Sequence, residues 1–229
     1  KKKKKKEKKK KNLIKDFLRL PRLTQDDVRC LCVNTPQEII TMSSIVGGGQ
    51  WDASEPTELI LKEKVFSLSG DTFVVKDHTG RDIFMVEGHA ISMSDRKSMK
   101  AADGTEVAEL REKAISMHKG QDVVDPDGNF LFTVRKSGMI QMFSSELEIY
   151  LGDGDREVDF DIKGDFREKS FKVTSRSSGE EILDISRKGF NAANLIFDSD
   201  SYVISVPAGG DMAFAALVAI AVDEICQED

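Results

Sequence analysis

Cysteine is scarce in this chain. Cys30, Cys32 and Cys226 are the only three, an odd number that builds no disulfide framework of the kind small secreted scaffolds need. The chain does not open on a short basic region followed by an apolar stretch, so no secretory leader is visible. The expectation is a reducing, cytoplasmic setting. Histidine is equally rare: His78, His89 and His118 stand apart, without cysteine neighbours at zinc-ligand spacing. A Gly-x-Ser-x-Gly elbow is missing, and no serine or cysteine pairs with a histidine by spacing; Ser144 and Ser145 read as loop residues. Long apolar stretches are missing too, with one exception of eleven residues, Met212–Val222. As a helix it reaches about 16 Å, roughly half of a bilayer core. These absences argue against an enzyme, a metal site, a cofactor and a transmembrane helix.

What is present begins with charge. Residues 1–12 hold ten lysines and Glu7, a net of +9, and subtracting this from the total of −6 leaves −15 on residues 13–229. An acidic body of that size disfavours general binding to nucleic acid or anionic lipid. A near-pure lysine run repels itself and stays solvated, and it also matches the composition of nuclear-import and membrane-surface patches. Residues 13–33 place Leu13, Ile14, Phe17 and Leu18 at helical spacing before Pro21 breaks the pattern. Met42-Ser43-Ser44 resembles an alternative start. The expected organisation is a basic segment 1–41 outside the functional unit, a flexible lead-in 42–56, and one domain over 57–229. Gly47-Gly48-Gly49 reads as part of that lead-in, because no Lys-Ser/Thr pair follows to make a phosphate loop.

From Leu59 onward the apolar period is two. Alternating runs at 73–75, 83–86, 107–110, 115–117, 130–134, 147–151, 158–162, 171–173, 182–185 and 202–206 read as strands with one face in the core. Between them recurs a turn signal of an acidic or hydroxyl residue, spacers and glycine. Gly80, Gly104 and Gly128 fall 24 residues apart, and Gly179 follows 51 later. Asx-Gly turns between β-rich runs are hairpins. Ten or more such strands do not stay a flat open sheet, and closure removes the edges. The last apolar run is uniform on every face, capped by Asp211 and set after Gly209-Gly210, so it must be surrounded by protein. The predicted fold is all-β with one buried helix: a closed antiparallel barrel of ten or more strands around a C-terminal helix at 211–226. Phe214, Leu217, Val218 and Ile220 are expected to be enclosed by strands.

Several segments in this order resemble the LURP-one-related family: Phe73–Gly80, Ile83–Gly88, Arg96–Gly104, Leu110–His118, Gly164–Val173 and Val206–Phe214. The resemblance spans roughly residues 57–226. It implies a tubby-like closed antiparallel barrel of about twelve strands around a central helix, shared with tubby proteins and phospholipid scramblases, and a non-enzymatic module that binds or scaffolds. Tubby domains bind phosphatidylinositol bisphosphate, so membrane or phosphoinositide association is part of what the resemblance implies. The alternative it carries is a scramblase-like protein that translocates or handles phospholipid. Plant members are linked to defence without an established activity.

Candidate contacts for a lipid headgroup or phosphate are the basic residues Arg96, Lys97, Arg135, Lys136, Arg167 and Lys169; Arg187-Lys188 is a further basic pair. Each sits at a strand end or turn, where surface cations also occur for solubility and edge protection. The acidic ladder Asp153, Asp155, Glu157, Asp159 and Asp161 fails as an EF-hand, since Val158 and Gly164 occupy the positions of the required glycine and glutamate. Expected partners are an anionic phospholipid or another protein, with no nucleic acid for the barrel. The expected location is cytoplasmic and membrane-peripheral, with the lysine arm suited to nuclear import.

Overall fold

The computed structural model describes residues 44–64, 72–88, 96–112, 120–137, 146–152, 157–165, 170–186 and 201–227. Twelve strands close into a single antiparallel barrel, each paired with its sequence neighbour, and the first pairs with the last. They are β1 (Thr57–Lys64), β2 (Thr72–Asp77), β3 (Asp82–Gly88), β4 (Arg96–Ala101), β5 (Glu106–Glu112) and β6 (Gly120–Val124). The second half comprises β7 (Phe130–Lys136), β8 (Glu146–Leu151), β9 (Phe160–Asp165), β10 (Ser170–Ser175), β11 (Glu181–Ser186) and β12 (Ser201–Val206). Helix α1 (Met212–Gln227) follows.

Three hairpins share one geometry. In the β2–β3, β4–β5 and β6–β7 turns, the N–H groups of Gly80, Gly104 and Gly128 bond the carbonyls of Asp77, Ala101 and Asp125 at 2.9 to 3.0 Å. The glycines have φ near +87° to +89°, which a Cβ would strain, and the register slips by one residue beside each turn. This is a three-residue hairpin closed by a glycine bulge. The β10–β11 turn repeats it one residue longer, through Gly179. Because odd and even strands run oppositely, all four turns lie at one end of the barrel. The start of β1 and the end of β12 lie there too. The 24-residue beat is therefore two strands plus one connection at the far end.

Helix α1 enters from the tight-turn end. Ala213 through Ala221 are wholly buried, with Phe214, Leu217, Val218 and Ile220 all at 0% exposure. Phe214 meets Phe132 edge-on with centroids 4.9 Å apart, and Phe160 lies 5.8 Å away. Small residues such as Ala215, Ala216 and Ala219 let the strand side chains close round the helix. Inward residues of every strand contribute to this one core. The helix is longer than its apolar run and continues through Asp223, Glu224 and Cys226; Cys226 is half-buried and packs on the core.

The structure differs from the sequence reading in three places. Strands β4 and β6 carry too few apolar residues to register as alternating runs; β4 turns Lys97, Met99 and Ala101 inward. Strand β9 begins at Phe160 and not at Val158; just before it, Asp159 donates its N–H to the Ile149 carbonyl and accepts the Arg176 N–H at its own carbonyl, both at 2.9 Å, and its carboxylate accepts the Leu151 N–H at 2.8 Å. The strand expected at 115–117 lies outside the described residues.

The third correction concerns the lead-in. Residues 44–53 are not a free linker but fold against the tight-turn end of the barrel. Gly47–Gly49 form one 3-10 turn, Val46 is fully buried, and Trp51 stands edge-on to Phe84 at 5.3 Å. The backbone of Ala53 exchanges hydrogen bonds with Gly209 and Gly210, and Met212 N–H bonds the Trp51 carbonyl. A short apolar segment tethered just before β1 gains more by covering the exposed helix start than by staying in water.

Candidate functional site

The two ends of the helix are polar in different ways. At its start Asp211 is fully buried. One carboxylate oxygen accepts the Phe214 N–H at 2.9 Å as a helix cap, and the other accepts the Val46 N–H at 2.6 Å. Burial pushes this carboxyl up to about 6, against the opposing pull of the Phe214 and Val46 N–H groups; the charge of Asp52 pushes the same way as burial. At the helix end Tyr202 donates its hydroxyl to Asp223, and Lys97 meets Glu224 at 2.7 Å. Both groups therefore serve to hold α1 inside the barrel.

Lys97 is thus corrected from a surface contact to a core residue, with only 3% exposure. Its neighbours in the alternation, Met99 and Ala101, already mark that face as inward. Arg96 lies on the outer wall 3.5 Å from Glu109. Arg135 stacks its guanidinium 3.7 Å above the Tyr150 ring, a cation–π contact that engages the group. Burial and the neighbouring Glu148 raise the Tyr150 hydroxyl above its ordinary value. Lys136 follows at the far end of β7, half-buried. Strands β4 and β7 are three ladder steps apart, roughly 14 Å at ordinary strand spacing, and Arg96 and Arg135 are each engaged with a neighbour on the wall, Glu109 and Tyr150. Arg167, Lys169, Arg187, Lys188, His89, His118, Cys30, Cys32, Asp153 and Asp155 lie outside the described residues.

Elsewhere on the wall cations face carboxylates. Arg111 pairs with Glu109, Lys100 with Glu87, Lys163 with Glu146, Lys172 with Glu181 and Asp184, and Arg176 with Asp161 and Glu148. Such exposed pairs add little stability, but they spend positive charge locally. Among the described residues no group of three His, Cys, Asp or Glu side chains is placed to hold a metal ion. No described helix is long and apolar enough to cross a membrane.

The tight-turn end carries the concave surface. Between β11 and β12, whose register spans only Asp184–Ser205 to Ser186–Val203, the strands part into an open groove of about 670 Å³. Glu55, Glu58, His78, Glu181 and Asp184 line it together with Ile182, Val206 and Pro207, and Lys172 pairs with Glu181 and Asp184. Between β5 and β6 pairing begins only at Glu109–Val124. Glu106, Val107 and Ala108 overhang and leave a cleft of about 390 Å³ lined by Ile45, Trp51, Val107, Pro126 and Leu131, with Glu106 and Asp125 at its mouth. The turn aspartates here are held ionised. The Thr105 N–H keeps Asp103 below its ordinary value, and the Asn129 side chain does the same for Asp125. Burial alone would raise Asp77, yet the Thr79 hydroxyl and the Arg81 and Thr79 N–H groups pull it far down. None of these clefts was legible in the alternation, because they arise where neighbouring strands cease to pair.

Comparison with known proteins agrees with this architecture. The chain is 27% identical over 201 residues to Protein LURP-one-related 15 of Arabidopsis thaliana, covering 85% of this chain and 90% of that one. It is 28% identical to Protein LURP-one-related 10 of the same plant, over 77% of this chain and 94% of the relative. Protein LURP1, also from Arabidopsis thaliana, is 26% identical over 79% and 89% of the two chains. An X-ray structure of an Arabidopsis thaliana protein superimposes with a TM-score of 0.55 at 24% identity, over 77% of this chain and 94% of that one, and speaks for the fold. The LURP-one-related family profile matches residues 57–223, from the start of β1 to the last turns of α1, and the chain belongs to that family.

Proposed function

We propose that this chain is a non-catalytic binding module whose partner is a protein and not a lipid headgroup. The observation that carries the reading is the disposition of charge. On the outer wall Arg96, Lys100, Arg111, Lys163, Lys172 and Arg176 each face a carboxylate, while the clefts of the tight-turn end are lined by further acids, Glu55, Glu58, Glu106 and Asp125. An anionic headgroup needs several convergent, uncompensated donors. A protein segment needs apolar clefts edged with polar groups. The enclosed helix supports the same reading against lipid translocation, since its apolar surface is already spent on the core.

Flotation with vesicles tests this. The full chain and a chain beginning at Met42 are mixed with neutral vesicles, with vesicles containing phosphatidylserine, and with vesicles containing phosphatidylinositol bisphosphate, at low and high salt. The chain beginning at Met42 is expected to stay in the dense fraction with every vesicle. Salt-sensitive flotation of the full chain alone would follow from its lysines, each contributing about 1 kcal/mol near an anionic surface, and leaves the barrel a protein-binding module. Selective flotation of the shorter chain with the bisphosphate lipid would overturn the reading and place a headgroup site on the barrel.

A further inference from the structure

We infer that the cleft between β5 and β6 is a docking site for a short basic peptide segment that carries one apolar side chain. This deepens the preceding reading and rests on it. The cleft joins two chemistries. Its walls are apolar, from Ile45, Trp51, Val107 and Leu131, and its mouth is anionic, from Glu106 and Asp125. A second, contiguous hollow of about 250 Å³ extends the mouth past Asp127, sharing Glu106, Asp125 and Pro126 with the first.

The negative charge at this mouth is poorly compensated. Glu109 is matched by Arg111 and Arg96, and Arg111 is the one cation lining either hollow among the described residues. Asp125 spends its carboxylate on the turn, where it accepts the Asn129 N–H at 2.8 Å, and it keeps its charge in doing so. An apolar cleft edged by fixed negative charge complements a lysine- or arginine-flanked leucine or phenylalanine. An acidic peptide would meet like charge, and a purely apolar one would leave the carboxylates without a partner.

Trp51 is the only tryptophan of the chain, so its emission reports directly on the cleft. The probe is a blocked pentapeptide of leucine flanked on each side by two lysines. Controls replace the lysines by glutamates, or the leucine by glycine. With the full chain of residues 1–229, the lysine–leucine peptide is expected to shift Trp51 emission saturably. The shift should weaken at least about tenfold at high salt and in the double variant Glu106→Gln/Asp127→Asn, whose two sites are exposed. The glycine control should bind several-fold more weakly and the glutamate control not at all. Leu131→Ala should weaken binding while leaving its salt dependence intact. The inference is overturned if the emission does not move, if the glutamate peptide acts equally, or if the double variant with an unchanged melting temperature binds as before. Each of these outcomes is separate from vesicle flotation: a silent cleft with no headgroup-selective flotation removes this site alone, whereas bisphosphate-selective flotation removes the protein-binding reading.

Discussion

Asp211 shows how much one buried carboxyl can decide. Unfolded, it titrates near 3.8; folded, burial holds it near 6. Across that interval the native state keeps a proton that the unfolded chain releases, so stability falls as pH rises. Between about pH 5 and pH 7 the loss from this group is roughly 1 kcal/mol. Denaturant midpoints are therefore expected to be higher at the acid end of that range. Below about pH 4 the trend should reverse, because Asp77, Asp103 and Asp125 are held low in the native state and their stabilisation is lost on protonation. Asp211→Asn should flatten the upper limb. It should also lose about 1 kcal/mol at acid pH, since an amide nitrogen cannot accept one of the two N–H groups. At the other end of the helix, Lys97→Met withdraws the cation 2.7 Å from Glu224. The expected cost is about 3 to 5 kcal/mol, with much of it recovered in Lys97→Met/Glu224→Met. A double-mutant cycle in urea checks both numbers, and equal losses in single and double variants would contradict the pairing.

Helix α1 is the element on which the barrel closes. Its propensity is ordinary, and its stability comes from enclosure, with nine consecutive residues from Ala213 to Ala221 at 0% exposure. Leu217→Asp sets a charge against Phe- and Val-lined walls and should cost several kcal/mol, comparable to the stability of a whole domain. Soluble expression with an unchanged melting temperature would mean that the helix is not central. The strands behave oppositely. Each is short, and each depends on two neighbours for its backbone hydrogen bonds, so the repeated glycine-bulge turns matter because they set register at one end for the whole meander.

For the molecule as a whole, residues 44–53 belong to the folded unit. Val46 is fully buried and Trp51 packs on Phe84. A chain beginning at Glu55 should be less stable than one beginning at Met42 by at least about 3 kcal/mol, the burial of one or two large apolar side chains. Thermal melts of the two compare them directly; coincident melts would return this segment to the status of a linker. The same packing shapes the cleft lined by Ile45 and Trp51, so the shorter chain should also lose whatever binds there.

Period-two alternation, Asx-Gly turns at a 24-residue beat and one all-apolar run are local signals, and each has a single physical solution. They determined the antiparallel meander, its closure and the enclosure of Phe214, Leu217, Val218 and Ile220 without reference to any distant contact. Strands β4 and β6 were not legible, because β4 sets Lys97 on its inward face beside Met99 and Ala101, and Val123 is the one residue β6 gives to the core cluster. The candidate site was legible hardly at all. Lys97 looked like a surface cation in a basic pair, yet its partner Glu224 lies 127 residues away. Asp211 looked like a cap and nothing more, until Val46, 165 residues distant, reached it. The clefts exist only where β5 parts from β6 and β11 from β12. Local backbone preference is written residue by residue; whether a charge is buried, matched or left at the mouth of a cleft depends on which strands the closed barrel brings together, and that was decided by the tertiary structure alone.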